Sequence, residues 1–264
     1  MHLDVQILRD FYYRSQLGRA AQKGVRDQVV ARWGAARGLS VAGYGFAVPL
    51  LRPFLDQAER VIGLMPGPQG AMPWPAEGPN HSVLCDEARW PLANDSIDRL
   101  VMLHGLETSQ HPLAVLDEAH RVLAPQGRLL AIVPNRSGFW ARRDATPFGY
   151  GRPYSRGQIE ALLAEAGLIA TGHAAALFFL PLGRAPMLRA ARALERLGRR
   201  WAPVALGGVL LVEAIRRDAA PRGLRVAARR PVRVLEGVPQ AGAQPAWRTA
   251  GDGAAPPEGP AQIP

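Results

Sequence analysis

The sequence predicts a doubly wound α/β domain, in which helices cover both faces of a parallel sheet. Short apolar runs of four to six residues alternate with helix-like segments of about ten residues, the pattern of repeated βαβ units. The chain has 264 residues, of which 48% are hydrophobic and 20% charged, enough for one sizeable core but not for two full domains. No apolar run reaches the length of a membrane span.

The N-terminal half contains the first helices and the first two strands. Residues 5–33 carry apolar side chains at helical spacing on both sides of Gly24, which predicts two helices that cover one edge of the domain. A strand over 39–42 leads through a glycine turn into a helix of about two turns from Val48. Residues 61–64 form the second strand, and the stretch after it is too rich in proline and glycine to be regular.

The middle of the chain completes the parallel part of the sheet. Residues 81–85 and 97–103 are the third and fourth apolar strands. Pro112 opens the next helix, because proline suits a first helical turn, and the sequence 125–127 ends it. Residues 128–133 are the fifth strand. The order of these elements predicts that the strand ends gather at one edge of the sheet.

The C-terminal half adds a loop, two helices and two strands. Residues 134–155 are predicted as a long loop of aromatic and arginine residues, the best candidate for a substrate wall. Arg142 and Arg143 in that loop would suit an anionic substrate. Ser155 caps the following helix, and strands over 168–180 and 208–215 flank a basic helix, 186–200. Beyond Ala219 the chain loses periodicity and is predicted to be disordered.

Positive charge is concentrated in one segment. The net charge is +10, from 32 basic and 22 acidic residues, and residues 184–233 alone contribute thirteen arginines against three acids. This segment could bind an anionic partner, or it could reflect arginine-rich codon usage, since Lys23 is the only lysine. The helix 186–200 either lies weakly on an anionic membrane surface or packs its apolar stripe on the sheet. That stripe consists of Met187, Ala191, Leu194 and Trp201. Nucleic acid is not expected, because no target-binding module is recognisable.

The number of cysteines and the first residues of the chain indicate a cellular compartment. Cys85 is the only cysteine, so no internal disulfide can form. The first residues lack the basic and apolar pattern of a secretory signal. We therefore expect a cytoplasmic protein.

The first chemical motif is the glycine turn between the first strand and its helix, Val41-Ala42-Gly43-Tyr44-Gly45-Phe46-Ala47. Glycines here allow a ligand to approach the backbone, and the helix N-terminus offers unpaired N–H groups. The alternative is a tight strand-to-helix turn that binds nothing.

Three later segments carry a resemblance to a known family. They are Cys85-Asp86-Glu87-Ala88-Arg89-Trp90-Pro91-Leu92, the run from Asp95 to Glu107 with Leu103-His104-Gly105-Leu106-Glu107 at its end, and Glu118-Ala119-His120-Arg121-Val122-Leu123-Ala124-Pro125-Gln126-Gly127. Their order and spacing resemble the central part of class I S-adenosylmethionine-dependent methyltransferases, over residues 36–170. The run 207–214 is similar to the last, antiparallel strand of that family. The resemblance implies a Rossmann-like, seven-stranded sheet with an antiparallel last strand, formed by residues 36–218, between an N-terminal helical cap (1–35) and the tail (219–264).

The resemblance also implies where S-adenosylmethionine would bind. The glycine-rich loop of the family, which packs against the methionine and ribose, falls on Gly43, Tyr44, Gly45 and Ala47. The acidic residue that accepts a hydrogen bond from adenine falls on Asp86, with Glu87 beside it. Leu103 and His104 end the fourth strand, near the methionine and the substrate.

Two positions depart from the family pattern. Val41 stands where the glycine motif usually begins with an acid, and Met65 stands where a second acid holds the ribose hydroxyls. Losing one charge-assisted hydrogen bond costs about 1.5–3 kcal/mol, so binding can survive it. Gln69 or the peptide groups of 63–67 are candidate substitutes.

The implied function is transfer of a methyl group from S-adenosylmethionine to a small molecule. His104 is the leading candidate for a general base because it follows a strand end. The other candidates are Glu107, His111, Tyr12, Tyr13 and Tyr150. His104, Glu107 and His111 match no tight metal-ligand spacing, so we expect no metal. The alternative is a non-catalytic relative that binds a partner or an anionic surface through its basic C-terminal region.

Overall fold

A computed structural model describes residues 3–217, which build a seven-stranded mixed sheet. The strands are β1 (Ser40–Gly45), β2 (Arg60–Pro66), β3 (Ser82–Cys85), β4 (Ile97–Leu103), β5 (Leu123–Pro134), β6 (Leu168–Ala176) and β7 (Val209–Arg216). Their order is β3-β2-β1-β4-β5-β7-β6. Strands β1 to β5 run parallel, and β7 runs antiparallel to both of its neighbours. The predicted fold class and its antiparallel last strand are confirmed. The predicted disordered tail lies outside the described residues.

Within residues 3–217, six α-helices surround the sheet. They are α1 (Val5–Arg9), α2 (Gln16–Trp33), α3 (Val48–Leu51), α4 (Pro112–Val122), α5 (Arg156–Glu165) and α6 (Ala185–Trp201). A π-helical turn, Asp10–Arg14, connects α1 to Ser15, whose hydroxyl caps α2 by accepting a hydrogen bond from the Gly18 N–H. The expected break at Gly24 is wrong. Helix α2 runs through this position, where Gly24 is buried and an added Cβ would be in ordinary contact with Leu177, at 3.5 Å.

Alternation along the strands divides the core into two layers. In β1, Val41 belongs to the layer beneath α1, α2, α3 and α6, whereas Ala42 belongs to the layer beneath α4 and α5. Leu130 and Leu129 in β5 divide in the same way. This period of two is the geometry of a strand with both faces buried. No helix within 3–217 is long and apolar enough to cross a bilayer.

One predicted strand is longer than the strand observed in the structure. The strand predicted over 168–180 ends at Ala176, because Leu177 adopts a left-handed conformation with φ 64°. The N–H groups of Leu177 and Phe178 donate to the two carboxylate oxygens of Glu195 in α6, at 3.2 and 2.9 Å. These bonds attach the chain leaving β6 to α6 instead of extending the sheet.

Candidate functional site

The glycine turn after β1 is closed by the chain itself. Gly45 has φ 77°, and a Cβ at this position would overlap the carbonyl oxygen of Leu103 at the end of β4. The N–H of Phe46 donates to that same oxygen at 2.7 Å. A Cβ at Gly43 would lie 2.8 Å from the Cβ of Ala47. Both glycines therefore permit close packing of β1 against β4 and α3.

The side chain of Tyr44 points into the core layer beneath α4 and α5. Its ring stacks on Trp90, with centroids 4.6 Å apart, and its buried hydroxyl has no hydrogen-bond partner in the described residues. Burial is the main cause that raises the pKa of Tyr44 above its ordinary value, so the group stays neutral.

The end of β2 contributes Met65 and, through a 3₁₀ turn (Gly67–Gln69), the amide of Gln69. Met65 is fully buried, and its sulfur accepts a weak hydrogen bond from the N–H of Met72. Gln69 is also buried and donates to the carbonyl of His104 at 2.9 Å. Its own amide oxygen has no partner within residues 3–217. Gln69 thus contacts the end of β4.

Asp86 and Glu87 follow β3, which is separated from β1 by β2. The Asp86 side chain is exposed and accepts a hydrogen bond from the N–H of Ala88 at 2.8 Å. The carboxylate of Glu87 accepts from the hydroxyl of Ser109 at 2.7 Å. Asp86 is therefore accessible to a ligand at the outer end of this strand edge.

A buried hydrogen-bonded triad lies at the centre of the sheet edge where the parallel strands end. His104 follows β4 in a left-handed conformation with φ 54°, and its side chain is fully buried. Its Nε2 is 2.7 Å from the hydroxyl of Tyr12, and its Nδ1 is 3.0 Å from a carboxylate oxygen of Glu107. The contacts fit the tautomer in which Nδ1 carries a proton and donates to the Glu107 carboxylate, because Nε2 can then accept from the Tyr12 hydroxyl. Burial, and next the Glu107 charge, raise the pKa of Tyr12 and keep its hydroxyl protonated.

Sequence reasoning named the three members of the triad as separate candidates and missed that they meet. Tyr12 lies 92 positions before His104 and belongs to the π-helical turn of the N-terminal cap. Only the pair His104 and Glu107 carries a local signal, a spacing of three residues. Within the described residues, no group of three or more potential metal ligands converges.

Aromatic rings pack tightly around the triad. Tyr12 stacks on Phe46 at 5.7 Å between centroids, and Phe148 lies 4.8 Å from the His104 ring. Phe148 comes from the predicted substrate wall, whose Trp140 is also buried and packs on it at 5.4 Å. The loop is therefore a packed wall of the site. Its Arg142 and Arg143 line a small surface pocket away from these rings, together with Leu180 and Leu182.

The positions at which the resemblance places the methionine and ribose of S-adenosylmethionine are covered by the chain in this conformation. Phe46 and Met65, in the glycine turn and at the end of β2, are both fully buried, and the ring of Tyr12 stacks on Phe46. The two glycines contact the chain instead of bordering an open cradle. Asp86, which the resemblance places at the adenine, is exposed.

Comparison with known proteins identifies the fold and the family. Residues 34–171 match a family model described as a methyltransferase domain. No curated protein sequence matches the chain. The fold is similar to a Thermotoga maritima S-adenosylmethionine-dependent methyltransferase, with 16% identity, a TM-score of 0.54, and coverage of 80% of this chain and 97% of that one.

Two further solved structures share the fold. An Aquifex aeolicus S-adenosylmethionine-dependent methyltransferase has 16% identity, a TM-score of 0.51, and coverage of 81% of this chain and 98% of that one. The [4+2]-cyclase SpnF has 18% identity, a TM-score of 0.51, and coverage of 77% and 83%. S-adenosylmethionine is the cofactor of the family, as the resemblance implied. With more than half of its length matched, the chain belongs to the methyltransferase-domain family.

Proposed function

We propose that this protein is an S-adenosylmethionine-dependent methyltransferase for a small-molecule acceptor, and that the donor enters after the N-terminal segment 3–14 moves. The observation that carries the proposal is the hydrogen bond between Tyr12 and His104, which holds that segment over the end of β4. Ligands bind at this strand edge in open α/β sheets. The edge is thus capped by one segment of the chain's own N-terminus.

Segment 3–14 is structurally separate from helix α2. It contains α1 and the π-helical turn, five residues each, and Ser15 separates both from α2. Helices this short have little stability of their own and depend on their packing. Leu3, Leu8 and Tyr12 supply that packing, and each is almost fully buried. Movement of the segment removes Tyr12 from both Phe46 and His104.

Once Tyr12 has moved, His104 has the geometry of a general base. Its Nε2 loses its hydrogen-bond donor and can accept a proton from an acceptor hydroxyl, amine or thiol. Glu107 keeps the proton on Nδ1, orients the ring and stabilises the imidazolium that forms. Bound S-adenosylmethionine would supply an activated methyl group, and the chain's task is to align the acceptor.

The second candidate is a non-catalytic member of the family, and the closed edge favours it. Opening exposes Leu3, Leu8 and Tyr12, at about 1.5–3 kcal/mol each. A total cost of about 4.5 kcal/mol or more lowers the apparent affinity for the donor by at least about a thousandfold. Donor binding therefore decides between the two candidates.

We expect Tyr12→Ala to bind S-adenosylmethionine at least about tenfold more tightly than the parent, because the variant lacks the ring and the hydroxyl that close the edge. The measurement is thermal unfolding over a donor titration. Ligand at a hundred times its dissociation constant adds about 2.7 kcal/mol, a rise of roughly 5–10 °C. Asp86→Ala in the Tyr12→Ala background should weaken binding about tenfold or more, whereas removal of another exposed carboxylate, Asp56→Ala, should not.

The outcomes separate the candidates. No stabilisation of either the parent or Tyr12→Ala at millimolar donor would contradict the methyltransferase proposal and favour the non-catalytic one. Equal, tight binding by both proteins would mean that segment 3–14 does not cover the donor site.

A further inference from the structure

The largest group of exposed apolar side chains lies far in sequence from the triad. Phe139, Leu197, Trp201 and Leu206 are 57–73% exposed, and Leu180 is 38% exposed. All five line one groove of about 410 Å³ beside the C-terminal half of α6, and we call them the apolar patch. Single exposed apolar residues are ordinary, but a contiguous group of this size marks an interaction surface.

Helix α6 presents two different faces. Ala191, Glu195 and Gly198 are buried against the domain. Leu197 and Trp201, four positions apart, project on the outer face toward the groove. Of the two alternatives that the sequence left open for the stripe, packing on the sheet does not hold for Trp201, whose indole is 73% exposed. The patch is thus additional to the packing that holds α6.

Arginines lie beside the patch. Residues 136–144 and 177–206 contain nine arginines and two acids, Asp144 and Glu195. Three of the nine, Arg192, Arg196 and Arg199, line a separate pocket toward α2. The Glu195 carboxylate is buried and bonded to the N–H groups of Leu177 and Phe178, so it does not offset the surface charge. The Arg200 guanidinium lies over the Trp201 ring, 5.4 Å from its centroid. Arg142 and Arg143 line the pocket beside Phe139.

This combination selects one kind of partner. Tryptophan, phenylalanine and leucine beside arginines are the side chains that insert at the boundary between lipid headgroups and acyl chains. A second copy would bring the same three arginines, Arg142, Arg143 and Arg200, toward this patch, and like charges oppose that contact. The tail, 218–264, has six arginines and four acids, so its charge is not complementary either.

We propose that the apolar patch and its arginines bind an anionic phospholipid surface, with α6 lying along the membrane plane. The apolar side chains enter the interface, and the guanidinium groups contact lipid phosphates. The inference does not depend on methyl transfer, because none of these residues belongs to the triad or the glycine turn.

The test is co-sedimentation of the full chain with vesicles of phosphatidylcholine alone or mixed with phosphatidylglycerol. We expect binding to the mixed vesicles only, and at least about tenfold weaker binding by the double variant Leu197→Ala/Trp201→Ala, because both side chains lose their apolar insertion. Ile7→Ala removes an equally exposed apolar side chain from α1 and should bind like the parent. Unchanged melting temperatures would show that both variants fold.

Several results would overturn the proposal. Equal binding to neutral vesicles excludes recognition of anionic lipid. Undiminished binding by Leu197→Ala/Trp201→Ala assigns the attachment to charge elsewhere, including the tail. Absence of vesicle binding, with a dimer in light scattering that the double variant abolishes, makes the patch an interface between copies.

Discussion

Gly45→Ala is expected to lower the free energy of unfolding by about 2–4 kcal/mol, a fall in melting temperature of roughly 4–16 °C. Two penalties combine. A left-handed φ of 77° costs a non-glycine residue about 1 kcal/mol. The new Cβ would also overlap the Leu103 carbonyl oxygen and lie 2.9 Å from the Gly105 nitrogen, and such overpacking costs about 1–3 kcal/mol. Chemical denaturation with an unchanged m-value is the measurement.

Gly38→Ala is the matched control. Gly38 has a similar φ, 69°, but no atom outside its immediate neighbours lies within 4 Å of the added Cβ. It should therefore show only the conformational cost of about 1 kcal/mol. Equal losses for the two variants would mean that the turn after β1 does not touch β4 and has room for a ligand. The pair thus also tests the closed conformation of the candidate site.

Much of the fold could be predicted because its signals are local. Strand β4 was predicted with its observed ends, since Ile97 and the apolar run 100–103 lie within one short segment. Ser155 and Gln158 form the capping box that starts α5, and both lie within four residues of sequence. The family resemblance added the antiparallel β7, which periodicity alone cannot orient.

The closed site could not be predicted in the same way. The glycine turn has the same sequence whether its outer surface faces a ligand or the ring of Tyr12. Whether the glycine turn is covered depends on the contact between Tyr12 and Phe46. That contact depends on the position of the π-helical turn. Helical spacing likewise shows that Trp201 shares a stripe with Ala191, but not that the body of the domain ends before Trp201.

Trp140→Ala is expected to cost about 3–5 kcal/mol of unfolding free energy, the range for deleting a fully buried aromatic ring. Trp140 is 1% exposed, and its ring packs edge-on against Phe148 and Phe179. Its indole N–H donates to the Phe179 carbonyl at 2.7 Å. Removing the side chain leaves both a cavity and an unpaired buried carbonyl. Phe139→Ala, the adjacent but 59% exposed aromatic residue, should change stability by no more than about 0.5 kcal/mol.

Comparison of the Trp140 and Phe139 variants tests whether the loop 134–155 supports the wall of the triad. Phe148 contacts both Trp140 and the His104 ring, so the loss of Trp140 removes support from the wall of the triad. Trp140→Phe keeps a ring there and loses only the N–H donor, so we expect a smaller cost of about 1–3 kcal/mol. If Trp140→Ala were as mild as Phe139→Ala, the loop would not be packed on the sheet. It would then act as a mobile lid, and entry to His104 would depend on this loop instead of on segment 3–14.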